Sequence, residues 1–161
     1  MNRIYIALIS LLLSLTAASA QELVFGLGGT DFTEEGDDSV ALDLEYRHSP
    51  FLERTVLSLA FGANLGVTGE GDVFIGGGLW SRWQWQSGWF IDASVMPGLY
   101  EEGTDGNDLG SAFEIRSLLG VGYQFANGNA LSAAISHKSN ASLADDNPGM
   151  NVYSVRYHLK F

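Results

Sequence analysis

Residues 151–161 are Asn-Val-Tyr-Ser-Val-Arg-Tyr-His-Leu-Lys-Phe, a segment in which two kinds of side chain alternate. The odd-numbered positions from 153 onward carry Tyr153, Val155, Tyr157, Leu159 and Phe161. The even-numbered positions from 156 onward carry Arg156, His158 and Lys160. Because successive side chains of a β-strand point to opposite faces, the segment predicts a strand with one apolar face and one charged face.

The same period of two recurs along the rest of the chain. In residues 40–47 the larger apolar side chains fall on the even positions, whereas Asp43, Glu45 and Arg47 fall on the odd ones. Clusters of Gly, Asn, Asp and Ser separate such segments, as they do in turns. Counting the alternating segments predicts eight strands, at approximately residues 22–29, 40–48, 55–65, 73–85, 89–100, 111–125, 130–139 and 151–161.

The connections between the predicted strands alternate in length. Residues 49–53, 86–88 and 126–129 form short connections, whereas the other four are mostly longer and acidic. Short turns at one end and longer loops at the other are typical of outer-membrane barrels, whose strands need about 9 to 11 residues to span the bilayer. The sequence therefore predicts an all-β fold, an eight-stranded antiparallel up-and-down transmembrane β-barrel.

A soluble eight-stranded cup with an apolar interior is the alternative fold, because periodicity does not specify which face meets water. Two features favour the membrane barrel. A final strand that ends on Phe161 resembles the recognition signal of outer-membrane barrels. Trp83, Trp85 and Trp89 flank a predicted turn and would suit an aromatic girdle, although tryptophan clusters also occur in ordinary cores.

Residues 1–20 have the composition of a secretory signal peptide. Arg3 precedes an apolar run from Ile4 to Leu15, and small residues at Ala18 and Ala20 precede Gln21. The apolar run is shorter than the roughly 20 residues that a transmembrane helix needs. We therefore expect a signal peptide at residues 1–20, a barrel domain at residues 21–161, and location in the outer membrane.

The charge balance and the absence of cysteine exclude several classes of protein. The formal net charge is −11, and nucleic-acid binding requires clustered Lys and Arg, so we expect no nucleic-acid partner. With no cysteine, the chain forms neither disulfides nor thiolate metal sites. In a membrane barrel the charged faces would line the interior as an ion-pair network that fills the lumen, made by Asp43, Glu45, Arg47, Arg82, Asp92, Glu114, Arg116, Arg156 and Lys160.

The predicted seventh strand carries two side chains suited to ester hydrolysis. His137 and Ser139 stand two residues apart, on the face that would meet lipid. A serine hydrolase needs a hydroxyl nucleophile, a base, a group that orients the base, and donors for the oxyanion. If both termini are periplasmic, the pair lies at the outer end of its strand, near the outer leaflet. By itself the pair also fits ordinary polar residues at the membrane interface.

A longer stretch around this pair resembles a known enzyme family. His137-Lys138-Ser139-Asn140-Ala141 and Asp146-Asn147-Pro148-Gly149, followed by the aromatic-ended strand, are similar to the lipid A 3-O-deacylases, which are outer-membrane acyl hydrolases. The resemblance implies that His137 is the general base, that Ser139 is the nucleophile, and that Asn140 contributes to the oxyanion hole. It also implies a lipid A or lipopolysaccharide substrate taken from the membrane, and neither cofactor nor metal. Monomer and homodimer both remain open.

The chain departs from the family pattern where the acidic member of the triad is expected. Asn151 stands there. An amide oxygen can orient the imidazole, but it cannot stabilise imidazolium by charge. Asp145 or Asp146 in the preceding loop could replace the missing acid, although both also fit a solvated loop.

Three functions therefore remain open from the sequence. The first is an active lipid A deacylase, in which Ser139 attacks the 3-O-acyl ester. The second is an inactive member of the same family, and the third is an unrelated small barrel for adhesion or membrane integrity. The acidic outer loops could hold divalent cations beside lipopolysaccharide phosphates, but they lack a regular ligand spacing, which favours solvated loops.

Overall fold

The computed structural model describes residues 21–32, 38–104 and 106–161, so the predicted signal peptide lies outside the described residues. No helix in these ranges is long and apolar enough to cross a membrane. The described chain forms strands β1 (Glu22–Phe32), β2 (Val40–Arg47), β3 (Leu52–Glu53), β4 (Leu57–Thr68), β5 (Val73–Gln84), β6 (Trp89–Glu101), β7 (Phe113–Gln124), β8 (Ala130–Ser139) and β9 (Met150–Lys160).

Eight of these strands close into one antiparallel barrel. Neighbours along the chain pair with each other, β2 pairs with β4 past the two-residue β3, and β9 pairs with β1 to close the sheet. The short strand β3 adds only Leu52 and Glu53 to the edge of β4, inside a segment that the sequence analysis treated as a turn. The predicted fold class is confirmed.

The barrel is apolar outside and polar inside. Leu27, Phe61 and Leu99 are about 60% exposed on the outer surface, at 59%, 62% and 63%, whereas Arg47 and Glu45 are fully buried in the interior. A soluble protein would place these two sets the other way round, because exposed apolar area of this extent is stable only against lipid. The soluble cup is therefore excluded.

The interior is an ion-pair network, as predicted. The Glu45 carboxylate contacts Arg47 Nε at 2.7 Å, Arg156 Nη2 at 2.7 Å and Arg116 Nη1 at 3.2 Å. Arg47 also reaches Glu22 at 2.9 Å and Asp92 at 2.7 Å. Each buried charge depends on its partners, because removing one side of a buried pair leaves an uncompensated ion. Two residues differ from the prediction. Lys160 is exposed at the rim, and buried Glu114 forms no ion pair among the described residues but accepts from Ser111 Oγ at 3.4 Å.

The two ends of the barrel differ. Phe161 N–H donates to Gln21 O at 3.1 Å, so both ends of the described chain lie at one end of the barrel, together with the three short connections. Trp83, Trp85 and Trp89 are exposed at that end, where they form the predicted aromatic belt. His137 and Ser139 lie at the opposite end, which carries the longer loops and which the sequence predicts to be the outer side.

The loop between β6 and β7 folds into the outer mouth of the barrel. The Asp72 carboxylate accepts the backbone N–H groups of Gly103 at 3.0 Å and Asn107 at 3.2 Å. Tyr100 donates its hydroxyl to Asn107 O at 2.6 Å, and Leu109 is buried in this mouth. The loop therefore covers the lumen and lies next to the segment that follows β8.

Candidate active site

His137 and Ser139 end β8 on the outward face of the barrel. Both are half-buried, whereas Lys138 between them points into the lumen and is buried. The period of two places the imidazole and the hydroxyl on one side of the strand, one step apart. The pair therefore lies on the exterior of the barrel, at the end opposite Gln21 and Phe161.

Asn151 orients the imidazole. It is the direct cross-strand partner of His137 on β9, and its Oδ1 lies 2.9 Å from His137 Nδ1. With Oδ1 as acceptor, the ring donates its Nδ1–H and keeps the lone pair of Nε2 available for a proton. This is the tautomer that a general base next to a serine requires.

Gly149 makes room for the ring, a feature that the sequence analysis missed. A Cβ at residue 149 would lie 3.1 Å from His137 Nε2 and closer still to Cε1. The imidazole therefore leans over Gly149, which extends β9 opposite Ser139. No hydrogen bond joins the Ser139 hydroxyl to the imidazole among the described residues. Catalytic contacts are often long before substrate binds, so this gap is compatible with a nucleophile and its base.

Asn140 is fully buried, and each of its three N–H groups has a partner. The side-chain Nδ2 donates to Leu109 O at 3.1 Å and to Asp146 O at 2.7 Å. The backbone N–H donates to Asn147 Oδ1 at 2.9 Å. Asn140 thus joins the end of β8 to two loops. The predicted oxyanion role would require one of these bonds to break.

The turn after Asn140 is strained. Ala141 and Ser142 have φ of 54° and 60°, and Leu143 N–H donates to Asn140 O at 3.1 Å. Side chains at such φ values cost of order 1 kcal/mol or more each, so the surrounding contacts hold this turn in place. Asn147 also reaches back to Ser142, with Nδ2 at 3.4 Å from Oγ. The exposed Asn147 amide therefore lies next to the Ser139–Asn140 segment.

A second serine–histidine pair lies inside the barrel. Ser132 Oγ is 2.8 Å from His158 Nε2, and His158 Nδ1 is 3.3 Å from Glu22 Oε2. Arg82 Nη2 lies 3.2 Å from the same Nδ1. The distances resemble a catalytic triad, but His158 is fully buried and Ser132 nearly so, inside the ion-pair network. This buried pair serves as an internal comparison for the exposed His137 and Ser139.

The two loop acids considered as substitutes lie exposed. Asp145 and Asp146 form no hydrogen bond to the imidazole among the residues that the structure describes, and Asp146 interacts through its backbone oxygen with Asn140. Another acid, Asp31 on β1, is the direct cross-strand partner of Asn151. The sequence did not reveal Asp31 because only the β1–β9 register brings it there. No cluster of metal-ligating side chains occurs within the described ranges.

An apolar groove lies on the outer surface directly beside the pair. Its volume is about 780 Å³, and its walls include Ile135 and Tyr153, the residues two positions inward from His137 and Asn151. Small residues, Gly120, Ala133 and Ala134, line its floor. The residues that line the groove are almost all apolar, which suits contact with hydrocarbon.

Solved structures of similar architecture define the class. The "outer membrane enzyme PagL" superposes with a TM-score of 0.72 at 22% identity, covering 87% of this chain and 99% of that one. Neisserial surface protein A superposes with a TM-score of 0.57 at 12% identity, covering 88% and 96%. The fold is therefore that of the small outer-membrane barrels.

The family follows from sequence comparison. The model of the family described as "Lipid A 3-O-deacylase (PagL)" matches residues 41–160. The chain belongs to this family. Lipid A deacylase PagL of Bordetella bronchiseptica is 26% identical over 81 residues, which are 50% of this chain and 46% of that protein. The Pseudomonas aeruginosa protein of the same name is 32% identical over 71 residues, 44% and 41% of the two chains. The matched part spans less than half the length of either relative.

Proposed function

We propose that this chain hydrolyses the 3-O-linked 3-hydroxyacyl ester of lipid A in the outer leaflet. The observation that carries the proposal is the His137 imidazole, which Asn151 orients over Gly149 next to Ser139, on the outward face and beside an apolar groove. A substrate embedded in the leaflet reaches this face laterally. Family membership gives the substrate class, and the proposed signal peptide at residues 1–20 gives the route to the outer membrane.

The proposed chemistry proceeds in two steps through an acyl-enzyme. Ser139 Oγ attacks the ester carbonyl while its proton passes to His137 Nε2. The bond from the carbonyl carbon to the 3-oxygen of the sugar then breaks, and His137 protonates that oxygen, which leaves as the 3-hydroxyl. Water activated by His137 next hydrolyses the serine ester and regenerates the hydroxyl. The products are a free 3-hydroxy fatty acid and lipid A with one chain fewer. These steps use only side chains and water.

The groove beside the pair receives the acyl chain. An ester carbonyl next to Ser139 places the attached chain over Ile135 and Tyr153, along the outward face of β8 and β9. The chain then exchanges contact with lipid for contact with protein, so its burial costs little. Shape and not hydrophobicity selects the chain here, because both environments are apolar.

We propose that Asn140 acts mainly by holding the loops that border the site. Its three bonds tie Leu109, Asp146 and Asn147 to the residue that follows the nucleophile. Asn140 can then donate a hydrogen bond to the oxyanion only if the substrate displaces Leu109 O, Asp146 O or Asn147 Oδ1 from its present bond. The neighbouring Asn147 amide is the exposed alternative, since its Nδ2 has a long contact of 3.4 Å with Ser142.

A second candidate function is a non-catalytic barrel of the same family, and Asn151 favours it. Replacing a triad aspartate by asparagine elsewhere lowers kcat about 10⁴-fold. Asn151 retains the hydrogen bond to His137 but provides no charge. Activity measurements distinguish the two functions.

The test is mass spectrometry of lipid A from cells that express the full chain. We expect loss of one 3-hydroxyacyl mass with the native chain and with Ser132→Ala, and no loss with Ser139→Ala. Ser132 is the matched control, because it also contacts a histidine but lies inside the lumen. Trimming that persists in Ser139→Ala would refute the nucleophile. If the Asn151→Glu variant removes the acyl chain and the native chain does not, the native protein is an inactive member of the family.

A further inference from the structure

A row of outward-facing side chains crosses four strands at the candidate site. Ser117 on β7 pairs with His137 on β8, His137 pairs with Asn151 on β9, and Asn151 pairs with Asp31 on β1. All four lie at least partly exposed on the outer surface. Direct cross-strand neighbours have Cβ atoms about 4.5 to 5.5 Å apart, so each side chain lies within reach of the next. Asp31 is the only carboxylate in this row.

The Asp31 carboxylate is held on the side of β1 that faces β9. Tyr153 on β9 donates its hydroxyl to Asp31 Oδ2 at 3.3 Å. The end of β1 is itself fixed, because Thr30 Oγ1 accepts the backbone N–H of Ser39 at 2.6 Å. The strand register places Asp31 directly beside Asn151, although no hydrogen bond joins the two side chains among the described residues.

Asn151 has the right shape to connect the acid with the histidine. Its Oδ1 accepts from His137 Nδ1, which leaves the two N–H bonds of Nδ2 on a different side of the amide. A carboxylate accepts such bonds, and a hydrogen-bonded chain of this kind polarises each member. Ser117, the neighbour on the other side of His137, is uncharged, and Lys138 points into the lumen.

We propose that Asp31 is a positioning residue that supplies, through Asn151, the negative charge that the triad lacks. This inference rests on the proposed function. The acid of the triad is thereby displaced by one strand, from β9 to β1, with Asn151 as the link. When His137 takes the serine proton, the resulting imidazolium lies two strands from the carboxylate, about 9 Å away. At that distance the charge is expected to favour the transition state between about twofold and twentyfold, according to local screening.

The test measures kcat and KM of the purified full chain in detergent or lipid, with lipid A as substrate. We expect Asp31→Asn to lower kcat/KM roughly tenfold. We also expect the loss to fall on kcat and not on KM, because the carboxylate lies two strands from His137 and acts on the charge that forms in the transition state. Asp31→Glu should recover part of the rate. A merely structural role would change the amount of folded protein and not the kcat of each folded chain.

Two further variants complete the design. Glu101→Gln is the matched control, because Glu101 also carries an outward carboxylate two strands from β8. On β6, however, the residue in line with His137 is Val95, and Glu101 lies six residues further along the strand. We expect this variant to change neither kcat nor KM. In an Asn151→Glu background, Asp31→Asn should have less than a twofold effect, because the charge then stands on β9.

The outcomes separate the two proposals. Ser139-dependent turnover whose kcat Asp31→Asn leaves unchanged refutes the role of Asp31 alone. Equal losses from Asp31→Asn in the native chain and in the Asn151→Glu background also refute it, since the two sites would then be independent. A native chain without Ser139-dependent turnover refutes the proposed function and this inference together.

Discussion

The Gly149→Ala variant tests whether the His137 ring must lie where the structure places it. Gly149 is not among the glycines with positive φ, so alanine fits the backbone without strain. The added methyl group meets one neighbour, the imidazole, at 3.1 Å from Nε2 and inside 3.0 Å from Cε1. The substitution therefore moves the ring and leaves the barrel intact.

The expected loss follows from the displacement. Carbon atoms in contact lie about 3.5 to 4.0 Å apart, so the ring must retreat by about 1 Å. A shift of that size breaks the 2.9 Å bond to Asn151 Oδ1 and moves Nε2 relative to Ser139. Misplacement of a catalytic group by about 1 Å costs on the order of 100-fold in rate, or about 2.7 kcal/mol of transition-state free energy.

The assay measures deacylation of lipid A by the purified protein. Folding is checked by electrophoresis, because the mobility of a folded barrel changes when heating unfolds it. The control is Gly29→Ala, because a Cβ at residue 29 would meet only Ser39 O at an ordinary 3.7 Å. We expect Gly29→Ala to retain activity and Gly149→Ala to lose about two orders of magnitude with an unchanged unfolding midpoint. Full activity in Gly149→Ala would show that the ring position is not required.

Two further changes test the interior and the loop. Glu45→Leu leaves Arg47, Arg116 and Arg156 without their shared carboxylate, so the free energy of unfolding in urea should fall by about 3 to 5 kcal/mol. Glu53→Leu, at an exposed position, is the control, and we expect it to cost less than about 1 kcal/mol. A loss as small as that of the control in Glu45→Leu would contradict the network. Asn140→Asp replaces the two N–H donors that bind Leu109 O and Asp146 O with an oxygen, which cannot donate to them. We therefore expect a protease to cleave residues 141–149 faster and the rate of deacylation to fall at least tenfold. An unchanged cleavage rate would refute the bridging role of Asn140.

The number of strands, their approximate positions and the fold class could be predicted because each strand of the barrel wall has one face toward lipid and one face toward a charged interior. Lipid outside and charge inside impose an alternation that shows in segments such as residues 40–47 and 151–161. Strand ends were less exact, since β1 extends to Phe32 and β4 extends to Thr68. Hydrogen bonds between neighbouring strands continue into the loops there, and the side-chain pattern does not record them.

The candidate site was predicted in part. His137 and Ser139 share a face by the period of two, and the order of the strands brings Asn151 next to His137. The space at Gly149, the bonds of Asn140 and the neighbouring Asp31 were not predicted. Nor did the sequence reveal that His158 and Ser132 form a second pair, because nothing in it gives the distance between β8 and β9 side chains.

The sequence by itself therefore determined the class of fold, the two faces of each strand and the family, because these depend on local alternation and on short motifs. Tertiary structure decided which serine–histidine pair is accessible and which acid lies near the His137 imidazole. Both depend on register and closure: β9 must pair with β1 before Asp31 meets Asn151, and the barrel must close before His158 is buried in its ion-pair network. Contacts of that kind join residues far apart in the sequence, such as Asp31 and Tyr153, which are separated by 122 positions.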